Sequence, residues 1–447
     1  MVPGMSVGLL TDQYELTMLD AALADGTAAR HAVFEVFARR LPAGRRYGVF
    51  AGPGRLLELL ADFRFDQGDL EWLARAGIVR ERTLEWLSGY QFSGTILGYA
   101  EGETYFPGSP VLAVTGTFAE TVILETLVLS ILNHDTAVAS AASRMTAAAG
   151  GRPCLEMGAR RTHEQAALAA ARAAYVGGFA GTSVLGAGRA WGIPTIGTAA
   201  HAFTLIHDTE ADAFRAQIAA QGTATTLLLD TYDVAAALRS AIEIAGTQLK
   251  SVRLDSGDLP VLAHEVRAAL DRLGATDTTI TVTSDLDEYA IAALGAAPVD
   301  SYGVGTRLVT GSGAPTAQMV YKLVAREDAT GAMRPVAKAV GAKATLGGAK
   351  WAGRRIDDSG HATEELIVTG IGPRPGAPET YGVRPLEVTY VADGRIQPGW
   401  TGGEGLARAA ERHRTSRAEL PRVAWRLSDG EPAIPTTLTP ALDSAGA

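Results

Sequence analysis

His201 is the residue whose surroundings point most directly to chemistry. It follows an apolar run and a turn of small residues, Gly197-Thr198-Ala199-Ala200, so its ring is left accessible to a substrate. A histidine that acts as a nucleophile or as an acid/base needs a carboxylate to orient it. Asp230, which ends the next long β-rich run, is the candidate. The other seven of the eight histidines have no comparable context, and a lone histidine is more often structural or solvated.

A second constellation is Arg253-Leu254-Asp255-Ser256-Gly257-Asp258, a cation and two carboxylates around a Ser-Gly turn. Arg253 and Asp255 alternate in a strand and so share a face. A carboxylate there can bind ribose hydroxyls or offset positive charge developing on a sugar ring. A structural ion pair is the plainer alternative, but it would not require the Ser-Gly-Asp that follows. Tyr302-Gly303-Val304-Gly305-Thr306 resembles a backbone nest for phosphate, in which glycines permit close approach and exposed N–H groups bind anions. Arg160-Arg161, Thr182-Ser183 and Ser284-Asp285 stand at the ends of other β-rich runs. Helix capping accounts for Asp258, Thr231 and Asp287. It does not account for paired arginines, because helix N-termini favour anions. No Walker A pattern follows a strand and no Cys/His spacing suggests zinc, so no protein-bound metal is expected.

These run ends belong to a repeating pattern. From about residue 150 to 310, β-rich runs alternate with Ala/Leu-rich helical ones, as in consecutive βα units. The runs are residues 154–157, 183–185, 194–197, 225–230, 249–255, 279–285 and 300–306. Helices are expected over about 163–176, 232–245, 259–273 and 286–294. The strands are apolar rather than alternating, as where both faces are buried. Six or seven such units favour a βα barrel, whose chemistry lies where the C-terminal strand ends converge and whose phosphate sites favour the last loops. Residues 1–112 mix helical and strand patterns without a repeat. Beyond 310 the chain is Gly/Pro-rich with scattered strands, and a Pro-marked tail, Glu431 to Pro435, precedes a terminus that reads as disordered.

Composition narrows the class. With 47% hydrophobic and 20% charged residues among 447, the chain can bury a large core without disulfide or metal staples. A net charge of −9 argues against a general nucleic-acid binder. The single cysteine, Cys154, suits a reducing cytoplasm. The N-terminal residues lack the basic and apolar regions of a secretory signal. The best membrane-span candidate, Thr121 to Leu132, is short and interrupted by Glu125, so a soluble protein without a membrane partner is expected. Only five of the 40 basic residues are lysines, and four of these (Lys322, Lys338, Lys343, Lys350) fall within 29 residues. Such a cluster reads either as compact charges for phosphate or as a solvated loop.

Five ordered motifs carry a family resemblance: Thr11 to Met18, Phe34 to Arg39, Gly197 to Phe203, Arg253 to Asp258 and Tyr302 to Thr306. With a Gly-Glu-Pro-Ala-Ile-Pro tail, they make residues 9 to 436 resemble the nicotinate phosphoribosyltransferases. The resemblance implies an α/β fold of the type II phosphoribosyltransferase kind. An irregular βα barrel (113–334) would stand beside an α/β domain that joins residues 1–112 to 335–447. It implies a head-to-tail homodimer with shared active sites. The reaction would join nicotinate to the phosphoribosyl group of phosphoribosyl pyrophosphate (PRPP), coupled to ATP hydrolysis, with Mg²⁺ on the phosphates.

By position, His201 would be the histidine that ATP phosphorylates and Asp230 its orienting carboxylate. Arg253, Asp255 and Gly257 match the ribose-phosphate segment, and Ser284, Gly303, Gly305 and Thr306 the 5′-phosphate cradle. Arg160 or Arg161 would face the nicotinate carboxylate, and Phe179 would stack on the ring. Tyr14 would stack from the other subunit, and Arg39 would meet the pyrophosphate. Lys322, Lys338 and Lys343 fall where the family places phosphate-binding cations. Two positions depart from the family's pattern: Val340 stands in place of serine in Lys338-Ala339-Val340-Gly341-Ala342-Lys343, and Ala349 in place of arginine before Lys350.

The rival within the fold, nicotinamide phosphoribosyltransferase, carries an aspartate near the segment that here reads Gly181-Thr182-Ser183-Val184. Such a carboxylate accepts from an amide NH₂ but repels nicotinate. At ~4 Å the repulsion is about 1 kcal/mol in water and about 4 kcal/mol at an effective dielectric of 20. Ser183 removes it, and Arg160 or Arg161 supplies a carboxylate partner. Quinolinate phosphoribosyltransferase needs no phosphohistidine, and a silent barrel that binds a pyridine or nucleotide would not need the full set of site residues. Ser183→Asp is expected to shift the preference toward nicotinamide, and unchanged kinetics with both bases would refute this.

Overall fold

The computed structural model describes residues 6–338, 346–370 and 381–440. The chain forms two compact units, residues 1–140 with 316–447, and residues 141–315. The boundaries therefore differ from 112/113 and 334/335. The strands Leu112–Thr117 and Met319–Glu327, which the sequence division places in the barrel, flank His31–Ala38 in the sheet of the terminal unit. Their residues complete that sheet's apolar face, which no βα repeat could signal.

The terminal unit is built on a seven-stranded antiparallel sheet. His31–Ala38 reads HAVFEVFA, rich in β-branched and aromatic residues, and it is buried along nearly its whole length. Phe34 and Val36 pack into a core shared with Leu19, Leu112, Val114 and Leu127. Glu35 in the middle of that strand is 1% exposed and meets Lys350 Nζ at 2.7 Å, while the Lys350 N–H donates to its other oxygen. Lys350 is thus an internal structural charge, not a member of a phosphate-binding cluster. The cation offsets part of the cost of burying this carboxylate. A four-stranded sheet holds a second such network, in which Arg354 pairs with Glu103 and Glu365. Its outermost strand, Thr436–Pro440, runs parallel to Ala362–Gly370 and replaces part of the tail expected to be disordered.

The 141–315 unit carries the βα series. Its sheet has six parallel strands in the spatial order Gly181–Thr182, Cys154–Glu156, Ser301–Val304, Thr279–Ser284, Ser251–Leu254 and Thr226–Leu228. The first strand of the series lies beside the last, Tyr302 opposite Cys154, which is how a barrel closes. The ladder stays open between a single bridge at Thr195 and the strand at Thr226. Two expected strands shrink here: 183–185 gives way to Gly181–Thr182 followed by helix Leu185–Trp191, and 194–197 keeps only that bridge. The short helix His201–Leu205 occupies the stretch of chain that spans the opening.

Among the described residues, the helical stretch 118–148 is the one long and apolar enough to cross a bilayer, and most of it is buried. Helix Gly402–Ala418 buries His413, 2% exposed, one turn before Arg417. Burial, reinforced by the Arg417 charge, lowers its pKa from 6.5 to about 3. The unfolded chain therefore binds a proton that the native state refuses, and stability contributed by neutral His413 is lost as pH falls from 6.5 toward 3. His413→Gln should flatten this acid limb in melts at pH 4 to 7; an unchanged limb would refute the assignment.

Candidate active site

The parallel sheet aims its C-terminal strand ends at one open cavity of about 290 Å³. Its wall includes Arg160, Arg161, Arg253, Asp255, Ser284, Gly303, Gly305 and Thr306, all of them residues that the sequence points to. Arg160 and Arg161 form a 3₁₀ turn after Cys154–Glu156, exposed and without an ion pair among the described residues. Two free guanidinium groups on a concave wall are suited to an anion. Across from them Arg253 lies 3.8 Å from Asp255 and donates to Thr198 Oγ1 at 2.5 Å and to the Ala199 carbonyl at 3.3 Å. Asp255 in turn accepts from the Thr283 hydroxyl.

The glycine-rich end is tight. A Cβ on Gly303 would come within 2.4 Å of Thr283 Cγ2 and 2.7 Å of Met157 Sδ, so only glycine fits without a shift. Gly305 is the N-cap of the short helix Thr306–Val309. Ser284, at the neighbouring strand end, has φ 145°, a region otherwise populated by glycine. Backbone strain of this kind costs on the order of 1–3 kcal/mol and gathers at binding and catalytic sites. Gly257 has φ 87°, a left-handed conformation that favours glycine.

Beside this cavity, His201 Nε2 lies 3.3 Å from Asp230 Oδ1. The same carboxylate accepts from the Asp255 N–H at 3.0 Å and from the Ser256 hydroxyl at 2.6 Å, both on Oδ2. Asp230 is only 4% exposed, whereas the His201 side chain is 38% exposed. A carboxylate only accepts, so Nε2 is the donor in this contact and Nδ1 is turned away from Asp230. Asp258 and Asp287 cap helices as expected. Thr231 does not; Asp233 is the residue that accepts from the Ala236 N–H.

Phe179 does not take the place expected of it. It is 2% exposed and precedes the strand Gly181–Thr182, so it lies at the N-terminal end of the sheet, away from the mouth. Met157, which directly follows a strand, lines the cavity instead, together with Thr283 and Asp285. In the sequence Met157 ends the 154–157 run, and an apolar residue there reads as core. Ser183 is exposed immediately after Gly181–Thr182, and its N–H donates to the Glu156 carbonyl at 2.9 Å. Glu156 is buried, which raises its carboxyl pKa against the opposing effect of its hydrogen bonds.

The remaining predicted residues belong to the terminal unit. Tyr14 is 45% exposed; partial burial and Glu125 raise its phenol pKa. Arg39 is exposed beside the Phe37 ring at 5.9 Å, Lys322 approaches Glu125 at 4.0 Å, and Lys338 is exposed. Lys343 and Val340 lie outside the described residues.

Comparison with known proteins places this arrangement. Residues 9–133 match the model of the nicotinate phosphoribosyltransferase N-terminal domain, and residues 153–330 match that of the nicotinate phosphoribosyltransferase family. A nicotinate phosphoribosyltransferase of Mycobacterium tuberculosis is 55% identical over 442 residues, covering 97% of this chain and 96% of its own. That of Bacillus subtilis is 38% identical, covering 80% and 75%. The human nicotinic acid phosphoribosyltransferase structure superposes with a TM-score of 0.80 at 26% identity, covering 96% and 97%. The cavity at the strand ends, with its free arginines and glycine-rich cradle, therefore lies in a chain that belongs to the nicotinate phosphoribosyltransferase family.

Proposed function

We propose that the chain transfers the phosphoribosyl group of PRPP to nicotinate, making nicotinate mononucleotide and pyrophosphate for NAD salvage, and that ATP hydrolysis drives this through His201. The observation that carries the reading is the shared carboxylate of Asp230, which joins the histidine to the Arg253–Asp258 segment.

The 5′-phosphate is read into the cradle of Ser284, Gly303, Gly305 and Thr306, where glycine-limited backbone lets N–H groups close on an anion. Asp255, held by Thr283 and by the backbone bond to Asp230, faces the ribose. As the C1–pyrophosphate bond breaks, positive charge grows on the sugar ring, and a fixed carboxylate beside it stabilises that charge without reorganising. The pyridine nitrogen then forms the new bond to C1. Arg160 or Arg161 binds the nicotinate carboxylate, and Ser183 stands where a carboxylate would repel it. Met157 takes the apolar wall that Phe179 vacates.

His201 Nδ1, turned away from Asp230, accepts the γ-phosphoryl group of ATP. An N–P bond forms as the bridging P–O bond breaks and ADP leaves, and water later cleaves the phosphohistidine. Asp230 stabilises the imidazolium-like ring during both steps. Among the described residues no group of three metal-ligating side chains occurs. Asp255 and Asp285 offer one or two oxygens, which fits Mg²⁺ brought in on substrate phosphates. When bound, Mg²⁺ neutralises phosphate charge. Lys322, Lys338, Lys343 and Arg39 are assigned to pyrophosphate or ATP, and Tyr14 to the partner subunit's site in a cytoplasmic homodimer.

The reaction is tested by mixing the protein with nicotinate, PRPP, Mg²⁺ and ATP and following the mononucleotide. His201→Ala should abolish ATP stimulation and leave a slower ATP-independent synthesis; retained stoichiometric ATP turnover would refute its role. Gly303→Ala should raise the PRPP KM by at least about tenfold, the equivalent of about 1.4 kcal/mol, because its Cβ would meet Thr283 and Met157 and force the cradle backbone to shift. An unchanged KM would place the 5′-phosphate elsewhere.

A further inference from the structure

We propose that Glu156 and Thr182 form a buried clasp that sets the distance between Ser183 and the Arg160-Arg161 turn, and so determines which pyridine base the pocket accepts. Both residues lie behind the cavity wall, 1% and 0% exposed. Neither lines the cavity or is part of the proposed chemistry.

Their hydrogen bonds run across two loop starts. The Gly158 N–H donates to Glu156 Oε1, which fixes the entry to the arginine turn. The Thr182 hydroxyl donates to Glu156 Oε2 at 2.5 Å and accepts from the Val184 N–H at 3.0 Å. The Ser183 N–H closes onto the Glu156 carbonyl at 2.9 Å. The backbone pairing of Leu155 and Glu156 with Gly181 and Thr182 would hold the two strands together without any of these side chains.

No cation pairs with Glu156 among the described residues. A buried carboxylate held only by neutral donors costs stability relative to an apolar pair of the same size. What it adds is direction: each of its oxygens meets a donor from a different loop. Gly158 is confined as well, since a Cβ there would lie 2.3 Å from Val309 Cγ1 and 3.0 Å from the Gly305 carbonyl. The arginine turn is therefore braced on one side by the phosphate cradle and on the other by the clasp. An Arg–carboxylate pair is strongest when bidentate, a geometry that a small shift of one loop spoils.

The inference rests on the nicotinate reading given above, and the test separates the two. Thr182→Val keeps shape and strand propensity but removes the hydroxyl. It should raise the nicotinate KM about tenfold, as expected for one lost buried hydrogen bond, and lower the nicotinate-to-nicotinamide preference in proportion. The PRPP KM and kcat should stay within about twofold, and Thr182→Ser should restore the parent values. Glu156→Gln, nearly isosteric, should act in the same direction, because its NH₂ must face one of the two donors. A preference that stays constant in both variants, or both substrate KM values rising together as Tm falls, would overturn the clasp as a specificity device. A parent enzyme that makes no mononucleotide from nicotinate would overturn the underlying reading instead, and the clasp with it.

Discussion

Asp230 is the point at which separate strand ends become one site. Its two oxygens meet the His201 ring, the Asp255 backbone and the Ser256 hydroxyl, and it is almost wholly buried while the histidine is not. A carboxylate in such a position is kept by its donors, and each donor is in turn oriented by it. Losing it would release the histidine and the Asp255-Ser256 turn together. One buried side chain thus ties the histidine to the Arg253–Asp258 segment.

The open ladder gives that arrangement room. Where a regular barrel would place a strand, the chain between Thr195 and Thr226 keeps one bridge and then the helix His201–Leu205. Strand ends elsewhere hold rigid polar groups, while this interruption leaves a histidine partly exposed next to a fixed carboxylate. Strain at Ser284 and the close packing around Gly303 show the same economy: the backbone conforms to the site and glycine is used where a Cβ has no space.

Much of the site was legible in the residues. His201 with Asp230, Arg253 with Asp255, the paired arginines and the glycine-rich loop all stand at β-rich run ends, and the parallel sheet brings most of them to one cavity wall. The failures have physical causes. Phe179 matches a stacking ring by the family resemblance alone, yet it is buried and precedes the strand rather than following it. Lys350 read with a cationic cluster because sequence proximity does not reveal that a strand of one sheet brings it against Glu35 in another, 315 positions away. The domain limits moved because antiparallel partners of His31–Ala38 come from residues 112–117 and 319–327, contacts with no local signature.

By itself, the sequence determined the alternating βα series, the polar groups at its strand ends and the family to which the ordered motifs belong. These are local properties: periodicity, turn chemistry and short spacings along one chain. Tertiary structure alone decided which end of a strand a residue occupies, which charges are consumed by internal pairs, and that Asp230 serves three donors at once. Those depend on register and on the angle at which strands meet, and no stretch of residues encodes them without its distant partners. Glu156 and Thr182 are the plainest case, two positions 26 residues apart whose pairing appears only when their strands lie side by side.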